Sequence, residues 1–173
     1  MSRENTNPEF APGAEGAPAA ETAYGAGTAP EPNAAAAAGA VSEACVELIR
    51  RIRSGEAMIA VVGLGYVGLP LAHAFHAIGL PVIGLDIDEE KIRGIEAGES
   101  YFSHFDSAKV RELAESHYFM GTTDFSAIGP ADAILLCVPT PLGEHREPDL
   151  SYVENTARAV GEYLREGHLV VLE

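Results

Sequence analysis

The chain has 173 residues, a formal net charge of −15 and two cysteines. A chain this acidic is repelled by phosphate backbones and anionic lipids, so its composition argues against binding to nucleic acid or a membrane surface. No apolar stretch reaches the roughly 18 residues that a membrane-spanning helix needs. The cysteines lie far apart and without C-x-x-C spacing, which fits a reducing, cytoplasmic setting.

Two parts of the chain differ in composition. Residues 1–40 are dominated by Ala, Gly, Pro and Glu and show no apolar period, so they bury too little surface to offset their ordering entropy. We expect a disordered acidic tail at 1–40, a leading helix and linker at 41–56, and a folded domain at 57–173. In the leading segment, Ser42 is typical of an N-cap, and Glu43–Arg53 has apolar residues at helical spacing.

Strands and helices alternate along the folded part. Short apolar runs predict strands at Met58–Val62, Val82–Leu85, Tyr118–Gly121, Ala131–Val138 and Leu169–Leu172. Helical patterns predict helices at Tyr66–Ile78, at Asp88–Ala97, from an N-cap at Ser107 to Ser116, and at Ser151–Arg165. This alternation is typical of an α/β fold, and we expect a Rossmann-like, doubly wound parallel sheet with strand order 3-2-1-4-5.

Three glycines with G-x-G-x-x-G spacing join the first strand to the next helix. Gly63 permits a tight turn, Gly65 lets the backbone approach a pyrophosphate without an intervening Cβ, and Gly68 lets the helix pack closely on the sheet. The free N–H groups and the positive dipole end of that helix favour phosphate. Glycine-rich turns also arise for steric reasons alone, but the position of this one between a strand and a helix predicts a dinucleotide site.

An acidic residue, Asp86, stands at the end of the second strand, about 20 positions after the glycine turn. A carboxylate there can accept hydrogen bonds from the adenosine ribose hydroxyls, and it would repel a 2′-phosphate, so NAD is favoured over NADP. The alternative is that Asp86 is only the N-cap of the helix that begins near Asp88.

A third candidate segment, Pro139-Thr140-Pro141, follows the fourth strand. In a doubly wound sheet, ligands bind beyond the carboxyl ends of the strands, near the switch point between the first and fourth strands. This loop should therefore face the glycine turn across the crevice, where the Thr140 hydroxyl could donate a hydrogen bond toward the nicotinamide. The alternative is that the two prolines only terminate the strand.

Several of these segments resemble a known family. Those already introduced are Gly63-Leu64-Gly65-Tyr66-Val67-Gly68-Leu69-Pro70, Asp86-Ile87-Asp88 and Cys137-Val138-Pro139-Thr140-Pro141. They resemble the N-terminal domain of nucleotide-sugar 6-dehydrogenases, the UDP-glucose/GDP-mannose dehydrogenase family. Three more segments are similar to the branch that acts on UDP-N-acetylhexosamines: Gly98–Tyr101, Arg146–Val153 and Val170–Glu173. The resemblance covers residues 57–173.

The resemblance implies a reaction and its partners. Such enzymes oxidise the C6 alcohol of a UDP-sugar to a carboxylate in two NAD-dependent steps, for polysaccharide biosynthesis. A cysteine holds the aldehyde-level carbon as a thiohemiacetal, which is a better hydride donor than the aldehyde. The implied substrate is UDP-N-acetylglucosamine or a related UDP-hexosamine, and the full-length enzyme is expected to form a homo-oligomer.

The resemblance also assigns residues. Those expected to bind NAD are Gly63, Gly65, Tyr66, Val67, Gly68, Asp86, Pro139 and Thr140. The position matching Glu173 lies near the nicotinamide in the family and assists catalysis, so Glu173 is the catalytic candidate.

The family's cysteine nucleophile belongs to a later domain, which would follow Glu173. We therefore expect a chain truncated at its C-terminal end that binds NAD without turning over a UDP-sugar alone. Cys137, at the end of a buried strand, and Cys45, on the leading helix, are typical of small packed hydrophobes. Two alternatives stay open. One is a free-standing NAD-binding or regulatory fragment that docks on a partner, and the other is an NAD-dependent dehydrogenase of the same fold that acts on hydroxy acids.

Four further residues invite a functional interpretation. His73 and His76 are three apart on a helix, but no third ligand accompanies them, so we predict no metal site. His104 could approach a substrate or be a solvated loop residue. Arg146 could pair with a substrate phosphate or a neighbouring subunit, or form a surface ion pair with Glu144 or Glu147.

Overall fold

A computed structural model describes residues 42–142 and 146–173. The predicted tail at 1–40 lies outside these ranges, as does Glu144. No helix in the described ranges is long and apolar enough to cross a membrane.

Five parallel strands form one sheet with the order β3-β2-β1-β4-β5. The strands are β1 (Ile59–Val62), β2 (Val82–Leu85), β3 (Phe119–Thr122), β4 (Ala133–Leu136) and β5 (Leu169–Leu172). The predicted fold class and strand order are confirmed. β3 starts one residue later than predicted, and β4 is shorter at both ends than the apolar run from Ala131, because its parallel pairing with β1 covers only Ala133–Leu136.

Helices follow the strands, as the alternation predicts. They are α1 (Glu43–Ser54), α2 (Gly68–Ala77), α3 (Glu89–Glu96), α4 (Ser107–Ala114) and α5 (Ser151–Gly161), with a short 3₁₀ helix at Phe125–Ile128. Ser42 is the N-cap of α1, as predicted. The prediction that Ser107 caps α4 is wrong, because the Asp106 side chain accepts the Ala108 N–H and Asp106 is the N-cap. Helix α5 ends at Gly161, four residues before the predicted end.

Successive apolar side chains of each strand point to opposite faces of the sheet, and they form one hydrophobic core on each face. On one face, strand residues such as Ile59, Val61 and Val82 pack with buried residues of α2, α3 and α4. On the other, Ala60, Val62 and their neighbours pack with the 3₁₀ helix and α5. A sheet covered on both faces explains why the central strands are continuous apolar runs, and it fixes the carboxyl ends of the strands at one edge.

Helix α1 joins this domain mainly through one ion pair. Arg51 approaches the buried Asp132 with both nitrogens, Nε to Oδ1 at 3.0 Å and Nη2 to Oδ2 at 2.8 Å. Asp132 Oδ2 also accepts the Met58 N–H at 2.8 Å. Because none of the α1 residues is fully buried, this bidentate pair provides most of the specific attachment of the helix.

Strand β5 is the edge of the sheet within the described ranges. It pairs with β4 from Leu169 to Leu172, and Glu173 N–H donates to the Leu136 carbonyl at 3.0 Å. Unlike the buried central strands, β5 exposes most of its side chains, and Leu172 is 59% exposed.

Candidate functional site

A cleft of about 840 Å³ opens at the carboxyl ends of the strands, a size within the usual range for small-molecule sites. The predicted residues that line it are Gly63, Gly65, Tyr66, Val67, Asp86, Pro139, Thr140 and Glu173. Gly68 is buried behind the turn and does not line the cleft. The structure thus gathers in one cleft residues that are distant in sequence.

Two of the three glycines are required by close backbone contacts. Gly63 has φ +94°, and a Cβ there would stand 2.5 Å from the Cys137 carbonyl oxygen. A Cβ on Gly68 would overlap the Gly63 carbonyl oxygen and meet the Cys137 Cβ at 3.2 Å. The contacts with the two carbonyl oxygens, of Cys137 and of Gly63, are shorter than real Cβ contacts allow, so glycine at these positions lets the turn fold tightly against the end of β4.

Gly65 differs from the other two because a Cβ there would meet nothing within 4 Å. Its conformation is also not left-handed, so the protein itself does not demand glycine at this position. Within the described ranges, the N–H groups of Gly65, Tyr66 and Val67 donate to no protein acceptor. Open space beside free N–H groups at the start of α2 is what a pyrophosphate requires.

Asp86 is only 5% exposed, and its carboxylate joins three neighbours. Oδ2 accepts the Leu64 N–H and the Lys91 ammonium, both at 2.8 Å, and Oδ1 accepts the Asp88 N–H at 3.0 Å. The alternative that Asp86 is only the N-cap of α3 is wrong, since Asp88 is that N-cap and accepts the Glu90 N–H. Asp86 instead connects the end of β2 to the glycine turn.

Lys91 is a cleft residue that sequence reasoning missed. Its side chain is 29% exposed, lines the cleft, and pairs with Asp86. The signal was present, because Lys91 lies five residues after Asp86 and within the first turn of α3. A cation there offsets the charge of the buried carboxylate and provides a second polar group near the position expected for the ribose.

A second missed residue is Tyr101, which the sequence marked only as part of a family-like segment. The Tyr101 hydroxyl donates to the Leu64 carbonyl at 2.8 Å, and the ring packs with Phe102 and beside Gly94. Burial, together with the nearby charges of Asp86 and Asp88, raises the pKa of the Tyr101 phenol, so the group remains a donor at neutral pH.

Beyond the carboxyl ends of β4 and β5, the wall of the cleft is more open. Pro139, Thr140 and Glu173 are exposed, whereas Cys137 is partly buried. Burial and the charge of Glu173 raise the pKa of the Cys137 thiol, which disfavours the thiolate. Within the described ranges, no side chain holds the Thr140 hydroxyl by a hydrogen bond.

Four more cleft residues had not been predicted: Ile87, Phe125, Tyr152 and Thr156. Ile87 is 77% exposed although it follows a buried strand, so it presents an apolar side chain on the rim beside Asp86. Tyr152 and Thr156 are four residues apart and share one face of α5. Only the tertiary fold brings α5 to the cleft, and no local pattern could have indicated it.

The remaining candidates lie outside the cleft. His73 Nε2 contacts the Glu112 carboxylate of α4, and His76 Nε2 contacts the hydroxyl of Ser116, which follows that helix, each at 2.7 Å. The described ranges hold no group of three or more residues arranged to bind a metal ion. His104 is exposed, as is Arg146, which has a left-handed backbone with φ 64°.

A doubly wound parallel sheet, with a glycine turn at the switch point and an acidic residue at the end of β2, defines the class: a Rossmann-like dinucleotide-binding domain. The family model described as "UDP-glucose/GDP-mannose dehydrogenase family, NAD binding domain" matches residues 57–173. The chain belongs to this family, and the matched part is its NAD-binding domain. The resemblance stated from the sequence and the choice of NAD as cofactor are confirmed.

Curated relatives match the same part of the chain. An NDP-N-acetyl-D-galactosaminuronic acid dehydrogenase from Ralstonia nicotianae is 42% identical over 116 residues, 66% of this chain. A UDP-N-acetyl-D-mannosamine dehydrogenase from Escherichia coli is 41% identical over 117 residues, 68% of this chain. In both cases the chain spans only 27% of the relative's length.

Solved structures agree on the fold. A UDP-N-acetyl-D-mannosamine dehydrogenase from Pyrococcus horikoshii matches with a TM-score of 0.64 at 35% identity, covering 67% of this chain and 28% of that one. An NDP-N-acetyl-D-galactosaminuronic acid dehydrogenase from Methanosarcina mazei matches with a TM-score of 0.66 at 32% identity, covering 77% of this chain and 30% of that one.

Proposed function

We propose that the cleft binds NAD with its pyrophosphate on the glycine turn and its adenosine ribose at Asp86. The open space at Gly65 beside the free N–H groups of Gly65, Tyr66 and Val67 carries this proposal. Asp86 Oδ1 accepts one protein N–H in the structure, which leaves acceptor capacity for a ribose hydroxyl.

The residues around Asp86 complete the proposed adenosine side. Lys91 is positioned to donate to a ribose oxygen while it pairs with Asp86. Ile87 and Phe125 offer apolar surface for the adenine ring. The buried carboxylate would repel a 2′-phosphate, which supports NAD over NADP.

Across the cleft, Pro139, Thr140 and Glu173 are proposed to face the nicotinamide. Bound NAD supplies hydride acceptance, and the task of these residues is to orient the ring and exclude water. The Thr140 hydroxyl would donate to the carboxamide. Glu173 would place a carboxylate near the nicotinamide, where the family resemblance gives this position a part in catalysis.

As part of a polypeptide of the relatives' length, this domain would serve an NAD-dependent oxidation of a nucleotide-linked N-acetylhexosamine at C6. The names of the relatives favour this substrate class, with UDP-N-acetylglucosamine, UDP-N-acetylmannosamine and the N-acetylgalactosamine compound as candidates. We place the protein in the cytoplasm, where thiols stay reduced, since Cys45 and Cys137 are both free.

The chain by itself is proposed to bind NAD without turnover. Covalent catalysis needs an accessible thiolate beside the substrate. Cys137 is partly buried with a raised pKa, and Cys45 lies on α1, away from the cleft. Neither fits the nucleophile.

Calorimetric titration with NAD tests the binding proposal. Heat of binding and an NAD-dependent rise in Tm are expected. The absence of both at millimolar NAD would sink it. Incubation with NAD and a UDP-N-acetylhexosamine tests the second part, and NADH formation by this chain alone would overturn the lack of turnover.

A further inference from the structure

Leu64, which lies between the first two glycines of the turn, is fixed by its side chain, its N–H and its carbonyl. The Leu64 side chain is fully buried in the core, its N–H donates to Asp86 Oδ2 at 2.8 Å, and its carbonyl accepts the Tyr101 hydroxyl at 2.8 Å. Asp86 directly follows β2, whereas Tyr101 lies far in sequence from the ends of the strands. It belongs to the loop between α3 and α4, which has no part in the glycine motif.

The hydrogen bond to the carbonyl fixes more than one atom. The Leu64 carbonyl and the Gly65 N–H belong to the same peptide plane, and the chain has no cis peptide bond in the described ranges. In a trans peptide, the C=O and N–H point in opposite directions. Because Tyr101 holds the carbonyl toward the protein, the Gly65 N–H is turned the other way, toward the cleft that Gly65 lines.

We propose that Tyr101 is a positioning residue: its hydroxyl orients the Gly65 N–H toward the pyrophosphate of bound NAD by holding the Leu64 carbonyl. Nothing else in the described ranges donates to that carbonyl. Glycine at 65 lets the Leu64–Gly65 peptide rotate more freely than any other residue would, so without the hydrogen bond from Tyr101 this peptide would sample orientations in which the Gly65 N–H misses the ligand. This inference rests on the proposed NAD site and adds a residue to it.

The tyrosine is itself held in place by the fold. Its ring lies beside Gly94 of α3, where a Cβ would come within 3.3 Å of Cδ1, and it packs against Phe102 with ring centroids 4.6 Å apart. A ring fixed in this way keeps the hydroxyl at the Leu64 carbonyl before NAD arrives. The ordering is therefore completed on folding, which lowers the entropy lost on binding.

Replacing the hydroxyl alone tests the proposal. Tyr101→Phe keeps the ring and its packing, and we expect the Kd for NAD to rise about 3- to 10-fold, the range that loss of one hydrogen bond produces. Adenosine lacks the pyrophosphate, so its Kd, measured by NMR titration, should stay unchanged. Tyr118→Phe is the matched control, since the Tyr118 side chain is partly exposed and outside the cleft.

If Tyr101 had a merely structural role, Tyr101→Phe would weaken the binding of adenosine and of NAD together, and that result would overturn the proposal. So would a Tyr101→Phe variant with the NAD affinity of the wild type. Gly94→Ala provides a second test, because Ala suits the helix while its Cβ would push the Tyr101 ring by a few tenths of an ångström. The Kd for NAD should rise less than in Tyr101→Phe, and the Kd for adenosine should stay unchanged. An unchanged Kd for NAD in this variant would also count against the role of Tyr101.

Residual dipolar couplings of the Gly65 N–H, measured by NMR without NAD, separate this inference from the proposed function. Loss of the Tyr101 hydroxyl should reduce the Gly65 coupling, because the Leu64–Gly65 peptide then samples several orientations. A wild type that binds neither NAD nor adenosine would sink the proposed function. An unchanged Gly65 coupling in Tyr101→Phe would sink the positioning role alone.

Discussion

The two walls of the cleft are built in different ways. On the glycine-turn side, Leu64 is held by Asp86 and Tyr101, and Asp86 is itself held by Lys91, all through hydrogen bonds of 2.8 Å. On the other side, Thr140 and its neighbouring prolines are exposed, and β5 exposes most of its side chains. One wall is ordered by buried polar contacts, and the other rests mainly on two prolines and an edge strand.

This difference indicates how the domain divides its work. Because a preorganised wall loses little entropy on binding, we infer that the glycine-turn wall contributes most of the affinity for NAD. An exposed wall contributes less unless further groups cover it. We infer that the described residues provide a nearly complete site for the adenosine and pyrophosphate half of NAD and a partial one for the nicotinamide.

The strongest test of the ordered wall is to force a Cβ into its turn. Gly63→Ala combines a left-handed backbone with a contact at 2.5 Å to the Cys137 carbonyl oxygen. We expect a loss of roughly 2–5 kcal/mol in the free energy of unfolding, measured by urea denaturation, from backbone strain plus overpacking. Gly161→Ala is the control, because a Cβ there meets nothing within 4 Å. Equal stability of the two variants would contradict the account of the turn.

Gly65→Ala should separate binding from folding. Since a Cβ at this position meets no protein atom within 4 Å, we expect an unchanged Tm. The Cβ would occupy space that the pyrophosphate needs, so the Kd for NAD should rise about 10- to 100-fold in a calorimetric titration. If NAD still bound as in the wild type, the pyrophosphate could not lie over Gly65.

Asp86→Asn tests the charge at the adenosine end. The amide keeps the shape but loses the charge that pairs with Lys91 and repels a 2′-phosphate. We expect the Kd for NAD to rise about 10-fold and the preference for NAD over NADP to shrink. Asp106→Asn is the control, since Asn caps a helix as well as Asp and this residue lies outside the cleft. If the variant kept the wild-type preference for NAD over NADP, Asp86 would not be the residue that distinguishes the ribose hydroxyl from a 2′-phosphate.

The smallest effect is expected on the exposed wall. Thr140→Val removes the proposed hydrogen bond to the carboxamide, but Thr140 is exposed and water competes for that bond, so the Kd for NAD should change less than about 3-fold. Thr123→Val, at an exposed position outside the cleft, is the isosteric control. A 10-fold loss at Thr140 would mean that this wall contributes as much as the glycine turn, and the comparison of the two walls would fail.

How much could be read from the sequence differs between the walls. The alternation of apolar runs with helical patterns predicted the strand order, and the glycine spacing with the acidic residue about 20 positions later predicted that Gly63, Gly65 and Asp86 share a site. The ion pair of Lys91 with Asp86 was overlooked, although its spacing on α3 is local. The contact of Tyr101 with Leu64 joins residues 37 positions apart, so no local pattern encodes it. The same holds for Tyr152 and Thr156, which reach the cleft only through the crossover to β5.

Helix ends were the least predictable part of the fold. Asp106 caps α4 in place of Ser107 because both residue types cap well and only the backbone conformation decides, with Asp106 extended and Ser107 already helical. The early end of α5 at Gly161 reflects a residue with low helix propensity that side-chain periodicity does not register.

Comparison of NAD with ADP-ribose tests the central claim most directly. ADP-ribose keeps the adenosine and the pyrophosphate but lacks the nicotinamide. If the glycine-turn wall provides most of the affinity, calorimetric titration of this chain should give Kd values for the two ligands within about 3-fold of each other. An ADP-ribose Kd more than about 10-fold weaker than that of NAD would contradict the account, because the nicotinamide wall would then carry the binding.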